Sequence, residues 1–300
     1  MRRFAHLVVL AFLLLTVAAC GEAFIDPFDN DERYYTIYGF IDEAKNFVPG
    51  TEHTVRVIPL TRFPERITSP TDDQAFIDAV VTSMDVRTGE SHRWEHSLEK
   101  LDDDTFAHIY RTSFFVRPGR TYRLEVRRSD GITATAETKV PAPGGIEIDF
   151  GDPRVDPESG AVTQDIMLSR TPSPWNIEVI YHIGDPTCFR GSPQTLFYGR
   201  VGVPMGDDGW RFTINLTADL DRLAQEDVLR PSINTLCAMS LRVSLLDGNW
   251  TPPEGIFDPE VLAQPGTLSN VENGYGFWGS IGLYQHDWVI GDELRGLLGL

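Results

Sequence analysis

The fold of this chain is decided by residues 117–140, RPGRTYRLEVRRSDGITATAETKV. The sequence Arg117-Pro118-Gly119-Arg120 predicts a turn, because proline and glycine favour turn conformations. From Thr121 to Arg127 apolar and polar residues alternate strictly, which is typical of a β-strand with one buried face. Asp130-Gly131 is a hairpin signal, and Ile132 to Val140 then has the composition of the returning strand. The stretch therefore predicts an antiparallel hairpin.

Further short strands are predicted on the N-terminal side of this hairpin, at residues 34–41, 54–57, 79–86 and 106–116. Short strands that are separated by turns about every 8–12 residues are typical of an antiparallel sandwich. We therefore expect an immunoglobulin-like or related β-sandwich over residues 34–140. Pro141-Ala142-Pro143-Gly144-Gly145 then has the composition of an interdomain linker.

Residues 146–300 are expected to form a larger, mainly β domain with one or two short helices. In the first helix, Leu220, Leu223, Ala224 and Val228 recur at helical spacing, Thr217 or Asp219 is suited to cap its start, and Pro231 ends it. A second short helix is predicted to start at Asp258. The strands of this half are predicted at residues 146–150, 166–168, 176–182, 195–203, 210–216 and 240–246, with an aromatic run at 275–288 closing the chain.

The N-terminal residues have the pattern of an export signal. Arg2 and Arg3 precede an apolar run, and Val17-Ala18-Ala19 lies directly before Cys20. The apolar run is too short to span a bilayer. We therefore expect a signal peptide at 1–19, lipid attachment at Cys20 and an acidic tether at 20–33. Gly21 after the cysteine is similar to the outer-membrane class of lipoproteins, which predicts a lipid-anchored protein of the outer membrane.

The composition of the chain argues against some classes of partner and predicts a disulfide. The chain is 41% apolar and 23% charged, which is typical of a globular protein. Its formal net charge of −18 argues against nucleic acid and anionic headgroups as partners. Besides Cys20 the chain has two cysteines, Cys188 and Cys237, and an even pair in an oxidising compartment predicts a disulfide.

One motif resembles a zinc-protease signature. His92-Arg93-Trp94-Glu95-His96 matches H-x-x-E-H, a pattern that binds zinc only on a helix, where both imidazoles lie on one face. Here the motif lies among short predicted strands, where His92 and His96 would share a face and Glu95 would point away. We expect an exposed hairpin, with a weak surface metal contact as the alternative, and predict no catalytic metal and no cofactor.

The remaining candidates for a functional surface are aromatic. The chain contains no nucleophile elbow and no phosphate-binding glycine loop. Trp250 is predicted in a loop, and Tyr275, Phe277 and Trp278 lie in the glycine-rich tail. Such side chains either fill the interior or form a contact surface for a ligand or partner. For the tail, the alternative to a contact surface is a closing strand of the second domain.

Several of these segments together resemble the bacterial lipoprotein family called domain of unknown function 4249. The resemblance implies an exported lipoprotein without established activity, whose relatives are often associated with outer-membrane receptors of the TonB-dependent type. It implies no catalytic residues. The segments that carry it are the lipobox, Tyr35 to Phe40, Pro118 to Val126, Asp130-Gly131, Val140 to Pro143 and, above all, Ser269 to Gly279.

The sequence therefore predicts a non-catalytic binding component of the cell envelope, an accessory to an outer-membrane receptor. The alternatives are a cell-envelope hydrolase with an unrecognised site and a structural or adhesive surface module. An enzyme should bring polar residues together in a deep pocket. A binding module should instead expose an aromatic or apolar patch.

Overall fold

The computed structural model describes residues 33–60, 66–171, 174–189, 191–199, 202–205, 209–230, 233–248 and 269–299. The signal peptide, Cys20, nearly all of the tether and the helix predicted at Asp258 lie outside these residues. The described strands are β1 (Tyr35–Asp42), β2 (His53–Pro59), β3 (Val80–Asp85), β4 (Ser91–Arg93), β5 (Glu95–Lys100), β6 (Phe106–Thr112), β7 (Thr121–Arg127), β8 (Thr133–Lys139), β9 (Glu147–Phe150), β10 (Arg154–Val155), β11 (Val162–Ser169), β12 (Pro174–Gly184), β13 (Gly191–Gly199), β14 (Val203–Pro204), β15 (Trp210–Asn215), β16 (Thr235–Leu246), β17 (Val271–Glu272) and β18 (Tyr275–Trp288).

The described helices are few and short, which confirms the prediction of an all-β fold with few short helices. They are α1 (Leu216–Gln225), α2 (Asp292–Leu298) and two 3-10 turns at Glu43–Phe47 and Asp73–Ala75. The sequence did not predict α2, which has seven residues. Within the described residues, neither helix combines the length and the hydropathy that a membrane span requires.

The strands form three sheets. The long sheet has the order β13-β12-β16-β18-β1-β2-β6-β5. The first small sheet has the order β17-β8-β7-β3-β4, and the second small sheet has the order β10-β11-β15-β14, with β9 also paired to β11. The predicted hairpin of residues 117–140 is the β7–β8 pair, in which Thr121 lies opposite Lys139 and Arg127 opposite Thr133.

The long sheet buries one core against each small sheet. The first core combines Ile37, Val55 and Tyr110 of the long sheet with Leu124 and Val126 of the first small sheet. We call this unit the first sandwich. The second core joins β12 and β16 of the long sheet to β11, β15 and α1, and we call that unit the second sandwich. Because successive residues of a strand point to opposite faces, the apolar side chains on one face of each strand point into the core.

Helix α1 is fixed to the second sandwich at its N-terminal turn. The side chain of Asn215 accepts a hydrogen bond from Ala218 N at 3.0 Å and caps the helix. The prediction of Thr217 or Asp219 as the cap was therefore wrong. Asp219 instead accepts hydrogen bonds from the hydroxyls of Tyr181 and Tyr198. Burial raises the pKa of Asp219, and the two tyrosine hydroxyls oppose that shift.

Strand β18 belongs to both sandwiches. Its first half pairs in parallel with β1, from Thr36 opposite Tyr275 to Asp42 opposite Ile281. Its second half pairs antiparallel with β16, up to Trp288 opposite Met239. The two halves of the chain therefore share one strand of 14 residues, which is about 45 Å long. The domain boundary at 141–145 stays a prediction.

Two buried carboxylates reinforce this junction. Glu43 directly follows β1 and extends the hydrogen bonding to β18, because Glu43 Oε2 accepts a hydrogen bond from Leu283 N at 2.8 Å. Asp247 directly follows β16 and accepts hydrogen bonds from Thr138 Oγ1 at 2.5 Å and from Lys139 N at 3.1 Å. Its own backbone N–H donates to Ser280 O at 3.0 Å. Asp247 thereby joins the first small sheet to the long sheet.

Candidate binding site

A groove of about 570 Å³ lies on the outer face of the first small sheet. This volume is in the usual range for ligand sites. Alternation along β7 and β8 puts apolar residues into the core and leaves charged and polar residues outside. The lining combines three carboxylates and one guanidinium with small polar side chains: Arg123, Glu125, Thr133, Thr135, Ala136, Glu137, Asn270, Glu272 and Asn273.

Arg123 and two of the three carboxylates of this groove form ion pairs, and the third carboxylate accepts a hydrogen bond. Arg123 Nη2 lies 2.5 Å from Glu137 Oε1 across the β7–β8 pair. Glu125 forms an ion pair with Arg127. Thr135 Oγ1 donates a hydrogen bond to Glu272 Oε2 at 3.2 Å. The lining contains no histidine, cysteine or serine, and its carboxylate, guanidinium, hydroxyl and amide groups can form hydrogen bonds with a polar ligand.

The glycine-rich tail forms one wall of the groove and covers the edge of β8. Asn270 Nδ2 donates to Glu137 O at 3.0 Å, and Asn273 Nδ2 donates to Thr133 O at 3.3 Å. These side chains replace a neighbouring strand, because β17 is only two residues long. Gly276 has φ +93, and a Cβ there would lie 2.1 Å from Ile37 O. Asn273 and Gly276 of the tail both have a positive φ, which asparagine and glycine adopt more readily than other residues.

The aromatic residues of the tail do not form a contact surface. Trp278 is fully buried in the first core, and Tyr275 is also buried. Phe277 is buried with Tyr38 and Leu246 in a separate small cluster. Of the two roles predicted for Tyr275, Phe277 and Trp278, the contact surface for a ligand or partner was therefore wrong, because these side chains pack inside the protein. Trp250 lies outside the described residues.

The predicted disulfide between Cys188 and Cys237 is confirmed. The two Cα atoms are 5.4 Å apart, as expected for a bonded pair. Cys188 lies between β12 and β13, and Cys237 lies near the start of β16. The bond therefore fixes the β12–β13 connection to a third strand of the long sheet.

The H-x-x-E-H motif lies on strands, as predicted, but its histidines do not share a face. His92 in β4 pairs with Ser83 in the first small sheet, whereas His96 in β5 pairs with Tyr110 in the long sheet. The chain passes from one sheet to the other at Trp94, which is buried. The expectation of a common face was wrong because it assumed one continuous strand.

Each histidine of the motif has a partner of its own. The ring of His92 stacks on Phe114 at 4.3 Å between centroids. His96 Nε2 lies 3.0 Å from His108 Nδ1, and His108 Nε2 lies 2.8 Å from Gln74 O. A carbonyl oxygen only accepts, so His108 carries its proton on Nε2 and accepts from His96. Within the described residues, no three histidine, cysteine or acidic side chains are placed to hold a metal ion.

His53 is a buried histidine between two loops of the first sandwich. Its Nε2 donates to Phe114 O at 3.2 Å, so its Nδ1 is free to accept from Asp42 N at 3.4 Å. Burial lowers the pKa of His53 to about 4, and the positive charges of Lys45 and His92 act in the same direction. The folded protein therefore holds this imidazole in its neutral form.

Acidification is expected to destabilise the protein through His53. An unfolded histidine takes up its proton near pH 6.5, whereas folded His53 does so only near its pKa of about 4. Stability is thus fully present above about pH 6.5 and falls as the pH drops toward 4, by about 3 kcal/mol from this group. Urea unfolding across this range measures the loss.

His53→Gln is the control for this pH dependence, because an amide keeps a donor and an acceptor but does not titrate. Asp42, whose pKa burial raises, is present in both proteins, so the difference between them isolates His53. If the free energy of unfolding changes equally with pH in the wild type and in His53→Gln, His53 is not the source of the pH dependence.

The structure exposes aromatic side chains that the sequence reasoning did not single out. The most exposed phenylalanines among the described residues are Phe189 and Phe76, followed by Phe197, Phe47 and Phe115. Phe47 precedes Val48-Pro49-Gly50, and Phe115 lies two residues before Arg117-Pro118-Gly119-Arg120. Both therefore lie beside turn signals, which was the available indication that they are exposed.

Comparisons with known proteins add little to this geometry. The chain matches no protein-family model and no curated protein. It is similar to a pullulanase from Anoxybacillus sp. LM18-11, with a TM-score of 0.23 and 15% identity over 81% of this chain and 27% of that chain. It is also similar to the chicken CNTN1 FN1-FN3 domains, with a TM-score of 0.24 and 13% identity over 71% of this chain and 60% of that one.

A third similar structure is a DUF4785 family protein from Legionella pneumophila, with a TM-score of 0.23 and 10% identity over 80% of this chain and 55% of that chain. The chain spans less than two thirds of the length of each of these three proteins. At such TM-scores the likeness carries no argument about fold or function.

Proposed function

We propose that this protein is a lipid-anchored, non-catalytic component of the cell envelope that binds another protein. Its partner is an outer-membrane receptor of the TonB-dependent type, to which it acts as an accessory. The proposal combines the export and lipidation pattern at Cys20 with the exposed surfaces of the folded part. The receptor rests on the resemblance to the lipoprotein family alone.

The observation that carries the proposal is a pair of exposed phenylalanine side chains on neighbouring loops. Phe47 is 66% exposed and Phe115 is 60% exposed, and the side chain of Asn46 forms hydrogen bonds with the backbone of Val116 between the two loops. Large apolar side chains cost free energy when water surrounds them, and clusters of them mark interaction sites.

Affinity isolation of the tagged full-length protein from native outer membranes tests this function. We expect one receptor to be enriched together with the protein, and to be lost from the eluate when the untagged protein is added in excess. A turnover assay on cell-envelope polymers is the second arm. Turnover without an enriched partner would replace the proposal with the hydrolase alternative.

Replacing Cys20 with serine is expected to abolish membrane anchoring. The sulfur carries the first acyl chain, and a single chain holds a protein only marginally, so the several chains of a lipoprotein are needed for a stable anchor. Intact mass and membrane fractionation measure the result. A native mature protein that starts at an unmodified Cys20 would contradict the prediction. Cys188→Ser is the matched control, since its thiol is bonded to Cys237 and it should leave anchoring unchanged.

A further inference from the structure

Four exposed apolar side chains lie on loops at one end of the first sandwich. They are Phe47, Val48, Val86 and Phe115, whose exposed fractions are 66%, 54%, 43% and 60%. We call these four residues the loop-end patch. Scattered exposed apolar residues are normal on protein surfaces, so the patch is informative only if its members are neighbours.

Hydrogen bonds hold the first two loops of the patch together. Asn46 Nδ2 donates to Val116 O at 2.6 Å, and Val116 N donates to Asn46 Oδ1 at 2.9 Å. Asn46 directly precedes Phe47, and Val116 directly follows Phe115. Two reciprocal hydrogen bonds therefore fix the exposed rings on neighbouring backbone segments.

The third loop of the patch, which contains Val86, is joined to the same end of the first sandwich through β7. Val86 N donates to Thr121 O at 3.0 Å. The neighbouring Tyr122 hydroxyl accepts from Arg117 N at 3.1 Å, two residues after Phe115. All four members of the patch are thus held by loops that are hydrogen-bonded to each other or to the start of β7.

Two arginines without a carboxylate partner among the described residues lie next to the patch, although the whole chain has a formal net charge of −18. They are Arg87 and Arg117, which are both exposed. The carboxylates of these loops face other groups. Asp85 is buried and accepts from the backbone of Arg87 at 2.8 Å, Glu52 lies 3.9 Å from Arg111, and Glu90 lies 4.0 Å from His92.

We propose that the loop-end patch is the docking surface for a partner protein that surrounds an apolar contact with acidic side chains. This inference rests on the proposed binding function and names its surface. The net negative charge repels an acidic partner from most of the molecule, so such a partner approaches where Arg87 and Arg117 stand beside the apolar side chains. Aromatic residues and arginine are also the residues enriched at protein interfaces.

The charge of the chain favours a protein over an anionic lipid surface. The formal net charge of −18 repels anionic headgroups from most of the molecule.

A photoreactive phenylalanine analogue at position 47 or 115 of the full-length protein, in intact cells, tests the proposal. We expect both positions to cross-link to the same partner protein, at a segment of that partner that contains acidic residues. Position 76 is the matched control, because Phe76 is more exposed, at 77%, and lies outside the patch. The double variant Arg87→Glu, Arg117→Glu should reduce the adduct about tenfold or more. Arg66→Glu, at another exposed arginine, should leave it within about twofold.

The outcomes separate this proposal from the proposed function. If affinity isolation recovers a receptor while the arginine variant leaves its recovery and the adduct unchanged, the patch is wrong and the binding function stands. If no protein is recovered and no position gives an adduct, both fall. Adducts with lipid, with a second copy of this chain, or with a segment that lacks acidic residues would each overturn the patch as proposed.

Discussion

Replacing Trp278 with alanine is expected to lower the free energy of unfolding by about 3–5 kcal/mol. Trp278 has an exposed fraction of 0% and lies in the first core. Its backbone is paired with that of Gly39 in β1. Removal of the ring would leave a cavity, and the strands around it belong to both ends of the chain, so collapse of the site is restricted. Chemical denaturation of the purified protein measures the loss.

Phe76→Ala is the matched control for this substitution, because it also removes an aromatic ring but at a position that is 77% exposed. Its effect on the free energy of unfolding should stay within about 0.5 kcal/mol. A Trp278 variant with unchanged stability and impaired partner recovery would contradict the interior placement and restore the tail as a contact surface.

Loss of the disulfide is expected to cost about 4 kcal/mol in the Cys188→Ser, Cys237→Ser double variant. The bond closes a loop with a sequence separation of 49 residues, so it removes much of the conformational freedom of the unfolded chain. In the folded protein it fixes the β12–β13 connection to β16. The free energy of unfolding of the oxidised protein and of the double variant gives the difference.

Reduction of the wild-type protein supplies the matched comparison for the disulfide. A reducing agent should lower the stability of the wild type to that of the double variant and leave the variant itself unchanged. If oxidised and reduced wild-type proteins unfold at the same denaturant concentration, the bond constrains the unfolded chain less than its loop length implies.

Local pattern predicted the strands of this fold better than their partners. The alternation from Thr121 to Arg127 is sufficient to define β7, because each residue shows which face it takes, and β8 follows after a short turn. The parallel pairing of β1 with β18 is different. Thr36 and Tyr275 are neighbours in the sheet but lie at opposite ends of the sequence, and no local pattern specifies such a contact.

The same limit applies to the candidate sites. Aromatic residues in a glycine-rich tail are compatible with a surface and with an interior. Only the residues that pack against the two faces of β18 decide for the interior. The sequence places Phe47 and Phe115 beside turns, but it does not bring them together. Their proximity depends on Asn46, whose side chain is hydrogen-bonded to the backbone of Val116, a residue 70 positions later in the sequence.

The strand shared by both sandwiches has a mechanical consequence. The chain enters the first sandwich at the start of β1, and β1 runs parallel to the first half of β18. A pull between the N-terminal side of the chain and the second sandwich therefore acts along these two strands in opposite directions. Such shear loads all seven residue pairs of the β1–β18 register together, instead of opening them one after another. If the proposed anchoring through Cys20 holds, the β1–β18 pairs would bear a force that pulls the second sandwich away from the anchor.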